Sequence, residues 1–342
     1  MKRGIAISIT SLLSIFGATF IILSYVAFRK IRTQTRQFLV NLSIADLVLA
    51  LSSLIGALVY YGNAGLQEAT EDSDMLQRMC AAQAAFTMFG VLSTMFWTVA
   101  VAFYLCVLVV LHKQTGWVLV VVLYVVCWGI PGVLTIWLGV SEHLGLDQGA
   151  TNGFCAVIPG AANSSDPYVI VVGYDMWLYL AFILLPAFYA TLHYKLQPCA
   201  LGHCCSLSRR PISKGDRKLA FVPLVFLFLR VWSIVVDVSI YYLPKDDTNR
   251  YRQSTASEVI GILEGIGIAG QGFANGVLFC LLTKAVRKRI LAGLVCGWCW
   301  CRTGYEKRFS YRNDESEPIN QRHNWASSKT LTVESNDDPV PV

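Results

Sequence analysis

Charged and amide side chains stand inside stretches of this chain that are otherwise apolar, and those are the residues whose chemistry needs explaining. Arg230 and Asp237 lie seven apart in KLAFVPLVFLFLRVWSIVVDVSIYYL, the run from Lys218 to Leu243. Seven residues make two helical turns, so both side chains fall on one face. Glu264, Gln271 and Asn275 recur at intervals of seven and four in the last apolar run, again on one face. Asn41 and Asp46 belong to NLSIADL in the second run, with Asp46 about 12 Å from the inner end of its helix at 1.5 Å per residue. Asp175 sits in the outer half of the fifth run. Charge within hydrocarbon is costly and by default marks a functional interior.

Two layers are expected. Asp175, Asp237 and Glu264 would line an outward-facing ligand pocket. Asn41, Asp46, Arg230, Gln271 and Asn275 would form a buried polar network below it. The plain alternative is that these groups are interhelical hydrogen-bond glue, each contributing modestly.

Enzyme chemistry finds no footing. The histidines, His112, His143, His193, His203 and His323, fall in loops, at helix ends or in the tail, so no metal set can be assembled. The last run has no internal lysine, since Lys284 is at its inner end, which excludes a retinal Schiff base there. P-loop, GxSxG and HExxH motifs are absent. No catalytic residue, metal or cofactor is expected.

The elements that hold these residues are set by hydropathy. The chain is 55 % hydrophobic and only 15 % charged, with mean hydropathy +0.51. A soluble domain carries about 25 % charged residues, so this is an integral membrane protein with the lipid bilayer as solvent. The formal charge of +6 is scattered over short loops and is no nucleic-acid signal. Seven apolar runs have spanning length: 5–28, 38–61, 80–111, 117–140, 169–194, 218–242 and 258–282. The first follows Met1-Lys2-Arg3, as in a signal peptide, but it is long for one and has no clear cleavage site. It reads as an uncleaved first span, a cleaved signal being the alternative.

Basic residues concentrate in alternate connections. Arg29, Lys30, Arg32 and Arg36 follow the first span, and Lys113 follows the third. Lys195, Arg209, Arg210, Lys214, Arg217 and Lys218 flank the fifth connection, and Lys284, Arg287, Lys288 and Arg289 follow the seventh span. This set faces the cytoplasm and puts the N-terminus outside, with Lys2 and Arg3 opposing the assignment weakly. The stretch ahead of the first span is then a few residues long.

Of eleven cysteines, only Cys80 and Cys155 then lie outside, so they are expected to form a disulfide, with two free thiols as the alternative. The loop that holds Cys155 also holds Asn163-Ser164-Ser165, a glycosylation acceptor. Basic and apolar residues alternate over about 284–298, as in an amphipathic helix on the inner leaflet. Cys296, Cys299 and Cys301 beside aromatic residues suit palmitoylation. Residues 302–342 are polar and read as a disordered cytoplasmic tail. Pro131, Pro186 and Pro223 are candidate kinks in the fourth, fifth and sixth spans. Trp97, Trp128 and Trp232 lie within spans and read as packing residues.

Seven spans, an external N-terminus, a disulfide from the third span to the next large loop and a basic amphipathic segment together resemble a G-protein-coupled receptor over about residues 5–301. Asp-Arg-Tyr, Cys-Trp-x-Pro and Asn-Pro-x-x-Tyr are missing, which disfavours the rhodopsin class despite NLSIADL. FWTVAVAFYL (Phe96–Leu105), CWGIPGVL (Cys127–Leu134), KLAFVPLVFLFLRVWS (Lys218–Ser233) and GQGFANGVLF (Gly270–Phe279) resemble the cyclic-AMP-receptor-like group, which is related to the secretin and adhesion receptors. The resemblance implies an all-α bundle of seven membrane helices that carries an external stimulus, from a ligand the sequence does not identify, to a heterotrimeric G protein. It implies movement of helices five and six about Pro186 and Pro223. Lys195, Arg209, Arg210, Arg217 and Lys218 would face the G protein, although topology setting alone also explains their charge. The location implied is the plasma membrane, the ciliary membrane included. No cysteine-rich or autoproteolytic domain precedes the first span, so peptide capture does not carry over, and neither does cyclic-AMP binding. A seven-helix transporter or channel is the alternative. The spans do not divide into two similar halves, which weighs against it.

Overall fold

Every spanning segment must satisfy its own backbone polar groups in lipid, and the chain meets that demand with helices. The computed structural model describes residues 2–28, 32–65, 73–111, 116–147, 154–157, 167–196, 221–241 and 254–282, all within one unit, residues 1–287. Helices α1 (Lys2–Ala27), α2 (Gln34–Gly65), α3 (Ser73–Leu111) and α4 (Trp117–Val140) come first. A hairpin of β1 (Leu144–Asp147) and β2 (Phe154–Val157) follows. Helix α5 runs through Pro167–Ile170, a π-helical turn Val171–Asp175 and Met176–Leu196. Helices α6 (Phe221–Tyr241), α7 (Thr255–Ala269) and α8 (Gln271–Leu282) complete the set.

Six of these helices are long and apolar enough to cross a membrane, and α7 with α8 makes a seventh span bent by 55°. The sequence reads that span as one continuous helix over 258–282. The structure breaks it at Gly270, whose amide donates back to the Ile266 carbonyl at 2.8 Å before the helix restarts. The antiparallel hairpin is a second departure from the all-helical reading. It pairs Leu146 with Cys155 and is tied to α3 by the Cys80–Cys155 disulfide. Pro186 lies inside α5, as expected for a kink. Pro223 falls in the first turn of the described part of α6, and the residues that precede that turn lie outside the described ones.

Helix α3 is the central element: 72 % of its apolar window is buried against protein, compared with 17 % for α4. Its Trp97 is fully buried and meets Phe38, Tyr124 and Trp128 at ring-centroid distances of 5.8, 5.1 and 5.8 Å. Leu12, Phe16 and Leu23 of α1 and Val133 and Ile136 of α4 are exposed on the lipid side.

Lipid offers no hydrophobic drive between helices, so close backbone approach must supply packing energy, and small residues permit it. Gly272 and Gly276 form a small-xxx-small stripe on α8 against Gly17 of α1. A Cβ on Gly276 would stand 2.8 Å from the Gly17 Cα, and one on Gly17 would stand 2.6 Å from the Gly272 carbonyl oxygen. Between α2 and α3, Ser52 Oγ donates to the Gln83 carbonyl at 3.0 Å, while Gln83 Nε2 donates to the Ser52 carbonyl at 3.0 Å and to Thr87 Oγ1 at 2.8 Å.

Gly276→Ala is expected to destabilise the protein by about 1–3 kcal/mol through overpacking. Gly129→Ala, where a Cβ meets nothing within 4 Å, serves as the control and is expected to leave stability unchanged or slightly raised. Thermal unfolding of both purified variants in micelles checks this.

Candidate functional site

The polar residues inside the spans gather in two layers. In the inner layer, Asn275 of α8 donates to Asp46 of α2 at 2.8 Å. Arg230 of α6 donates through one Nη to Thr94 Oγ1 of α3 at 3.4 Å and to Gln271 Oε1 of α8 at 3.5 Å. Gln271 Nε2 then donates to Thr98 Oγ1 at 3.4 Å. Four helices thus meet through one guanidinium and its neighbours. Arg230 has 0 % exposure, and its Nε and other Nη have no hydrogen-bond partner. Its Cζ lies 5.7 Å from the Phe226 ring centroid, which adds cation–π attraction. Asp46 feels the Arg230 charge without touching it, and Asp46 Oδ1 is buried with no donor.

Local geometry explains the convergence. The break at Gly270 precedes Gln271 by one residue, so the first turn of α8 carries Gln271 in beside Arg230. Gly272 has no side chain to fill the space between Ser14 and Asp46: a Cβ there would lie 2.5 Å from Ser14 Oγ and 3.0 Å from Asp46 Cβ. Thr94 and Thr98 are four apart on α3 and present two hydroxyls on one face.

The outer layer is acidic. Asp175 comes from the π-helical turn of α5, Asp237 from α6 and Glu264 from α7. Asp237 lies within the fields of both Asp175 and Glu264. Tyr174, next to Asp175, is half-buried, with its hydroxyl in the fields of Arg230, Asp237 and Glu264. Glu264 accepts an ion pair from Arg3 Nη at 3.3 Å, linking α7 to the start of α1. A second pair, Lys2 to Glu258 at 3.5 Å, is largely exposed and contributes little. The structure therefore gives Arg3 a place in the site, where the sequence offered it only as a weak topology signal.

Of the residues read from sequence, Asp46, Arg230, Gln271 and Asn275 come together in the inner layer, and Asp175, Asp237 and Glu264 in the outer. Asn41 joins neither. It donates to Tyr124 at 2.7 Å and to the Gln37 carbonyl at 2.8 Å, bridging α2 to α4. Five residues separate Asn41 from Asp46, about 140° around a helix, so the two cannot share a face. Lys195 ends α5, while Arg209, Arg210, Arg217, Lys218, Asn163, Cys296, Cys299 and Cys301 lie outside the described residues, as do 284–298 and the tail. Thr94, Thr98, Tyr174 and Arg3 were not singled out beforehand. The threonine pair at helical spacing was a readable signal, and the others had none.

An apolar cavity of about 270 Å³ opens elsewhere, between α3, α4 and α5, lined by Phe96, Phe103, Cys127, Trp177 and Phe188 among others. None of the polar site residues lines it.

Comparison with known proteins agrees with this architecture. The family model described as 7 transmembrane receptor (Secretin family) matches residues 2–155. The chain is 29 % identical to G-protein coupled receptor 157 of Homo sapiens over 294 residues, covering 82 % of this chain and 80 % of that protein. It is 28 % identical to the Mus musculus protein of the same name over 299 residues, covering 83 % of each. The chain is a multi-pass membrane protein, and its first half is similar to the secretin-type seven-transmembrane receptors.

The Asp46–Asn275 contact gives a direct energetic test. Asp46→Asn and Asn275→Ala are each expected to lower stability, and the double variant to lose less than the sum. A coupling of about 0.5–2 kcal/mol in a double-mutant cycle, read from unfolding in micelles, is the expected outcome.

Proposed function

We propose that this chain is a G-protein-coupled receptor of the plasma membrane, which carries an external stimulus to a heterotrimeric G protein. The comparisons support the class, since both the matching family and the similar proteins are receptors. The observation that carries the mechanism is the buried Arg230, hydrogen-bonded to α3 and α8 from α6. A buried guanidinium that uses one Nη for its hydrogen bonds to described residues has donors left to take other partners, which makes it a poised element. A small shift of α6 can exchange one set of hydrogen bonds for another at little net cost, whereas a shift in an all-apolar core would open a void.

The outer carboxylates and the inner network share α6 and the bent seventh span. Asp237 is two turns from Arg230 on α6, and Glu264 and Gln271 are two turns apart across the break. A ligand that pulls on Asp237 or Glu264 thereby biases the equilibrium between two arrangements around Arg230. Helices α5 and α6 then move at the inner end, with Pro186 inside α5 as one pivot. The basic connection containing Arg209, Arg210 and Arg217 lies between those helices in sequence and supplies the contact surface for the G protein. The transporter or channel reading gains nothing from the relatives, which are receptors by name.

Nucleotide exchange on a panel of purified heterotrimeric G proteins tests this, with membranes carrying the wild type or Arg230→Ala at matched expression. Exchange above the empty-membrane background for at least one subtype is expected, changed roughly fivefold or more by the substitution. Exchange at background for every subtype, with and without external stimuli, contradicts the receptor assignment.

A further inference from the structure

The outer layer holds more acidic than basic side chains. Asp175 of α5 and Glu264 of α7 both act on Asp237 of α6. Two guanidiniums face them. Arg230 acts on Glu264 and Tyr174 from below, but directs its hydrogen bonds to Thr94 and Gln271. Arg3 is the only one of the two in contact with an outer-layer carboxylate, through Glu264. Asp175 is 2 % exposed and its Oδ1 has no hydrogen-bond partner, and the buried Oδ2 of Asp237 has none either. Buried carboxylate oxygens without donors call for a cation or a proton.

The seat of Arg3 shows what shape of cation fits. Its guanidinium lies against Gly261, one turn before Glu264, where a Cβ would stand 3.6 Å from Nη1. A Cβ there would make ordinary contact, whereas Gly265 lets Ile7 approach closely, its Cγ1 2.8 Å from where a Cβ would stand, and so seats the start of α1 on α7. Among the described residues no three of His, Cys, Asp and Glu converge closely enough to hold a metal ion. The cation already seated at Glu264 is a guanidinium, so a hydrogen-bonding organic cation is the matching class.

We infer that the outer layer is a binding site for an organic cation, that the chain's own Arg3 guanidinium occupies part of it at rest, and that a ligand bearing a guanidinium or ammonium group displaces Arg3 from Glu264. This rests on the reading of the outer layer as the receptor's ligand pocket. It adds a ligand class and an internal competitor. Release of Arg3 frees α1 from α7 and changes the charge felt by α6, which is the step that reaches Arg230.

The test uses the full-length protein in lipid nanodiscs, with ethylguanidinium chloride as probe and ethylurea, its uncharged isostere, as control. Arg3→Ala is expected to lower Tm, and ethylguanidinium to restore most of the loss while ethylurea does not. Restoration should vanish in the Arg3→Ala, Glu264→Gln double variant. Equal response of all variants, or no restoration in Arg3→Ala, overturns the proposal. Should Arg3→Ala not fold, the wild type is compared with Asp237→Asn: ethylguanidinium must protect the former against heating more strongly, and equal protection overturns the proposal. The readout involves no G protein. Cation rescue with a silent exchange assay would therefore count against the receptor assignment alone, and exchange without rescue against the cation site alone.

Discussion

Burying one guanidinium governs much of this structure. Arg230 is the largest polar side chain among the fully buried ones, and leaving its charge unpaired in a medium of low dielectric would be severely unfavourable. The chain answers with partial compensation from several directions: Thr94 on α3, Gln271 on α8, the face of Phe226 and the more distant charge of Asp46. Among the described residues no direct ion pair locks it. A locked pair would fix α6 against its neighbours. Weak contacts at 3.4 and 3.5 Å hold it loosely enough to change partners.

Placing those partners requires departures from regular helix. The seventh span bends by 55° at Gly270, and the bend turns Gln271 and Asn275 toward Arg230 and Asp46. Glycines then let the displaced segment close up: Gly272 and Gly276 meet Gly17 of α1, and Gly267 lets α7 lie directly on the backbone of α6 at Leu229. The π-helical turn of α5 adds a residue to the helical repeat and carries Tyr174 and Asp175 inward. Such π-turns recur at functional sites for this reason. The same irregularities that weaken individual helices therefore assemble the site.

The spans were readable because hydropathy over twenty residues is a strong signal, and the Cys80–Cys155 pair because charge distribution left two external thiols. The grouping of Gln271 with Asn275 followed from helical spacing, and the structure places each beside a partner from another helix. The break at Gly270 was hidden, since GIGIAGQGFANG reads as one apolar run and a bend arises from packing with α1 and α6. Arg3 was hidden because a basic residue beside a membrane span ordinarily reports topology, and only the fold brings it to Glu264. Asn41, five residues from Asp46, stands about 140° away on the helix and bonds Tyr124 of α4 instead of the groups around Arg230. The hairpin between α4 and α5 was too short to stand out from loop sequence.

The account makes Arg230 the joint through which the outer layer moves the inner end of α6. The most direct measurement is the distance distribution between spin labels placed by unnatural amino acids at Leu108 on α3 and Phe221 on α6, which leaves the native cysteines untouched. In nanodiscs, addition of nucleotide-free G protein should lengthen this distance in the wild type, and Arg230→Met should abolish the change while the protein stays folded. An identical distribution with and without G protein, or a full shift in Arg230→Met, would contradict the account.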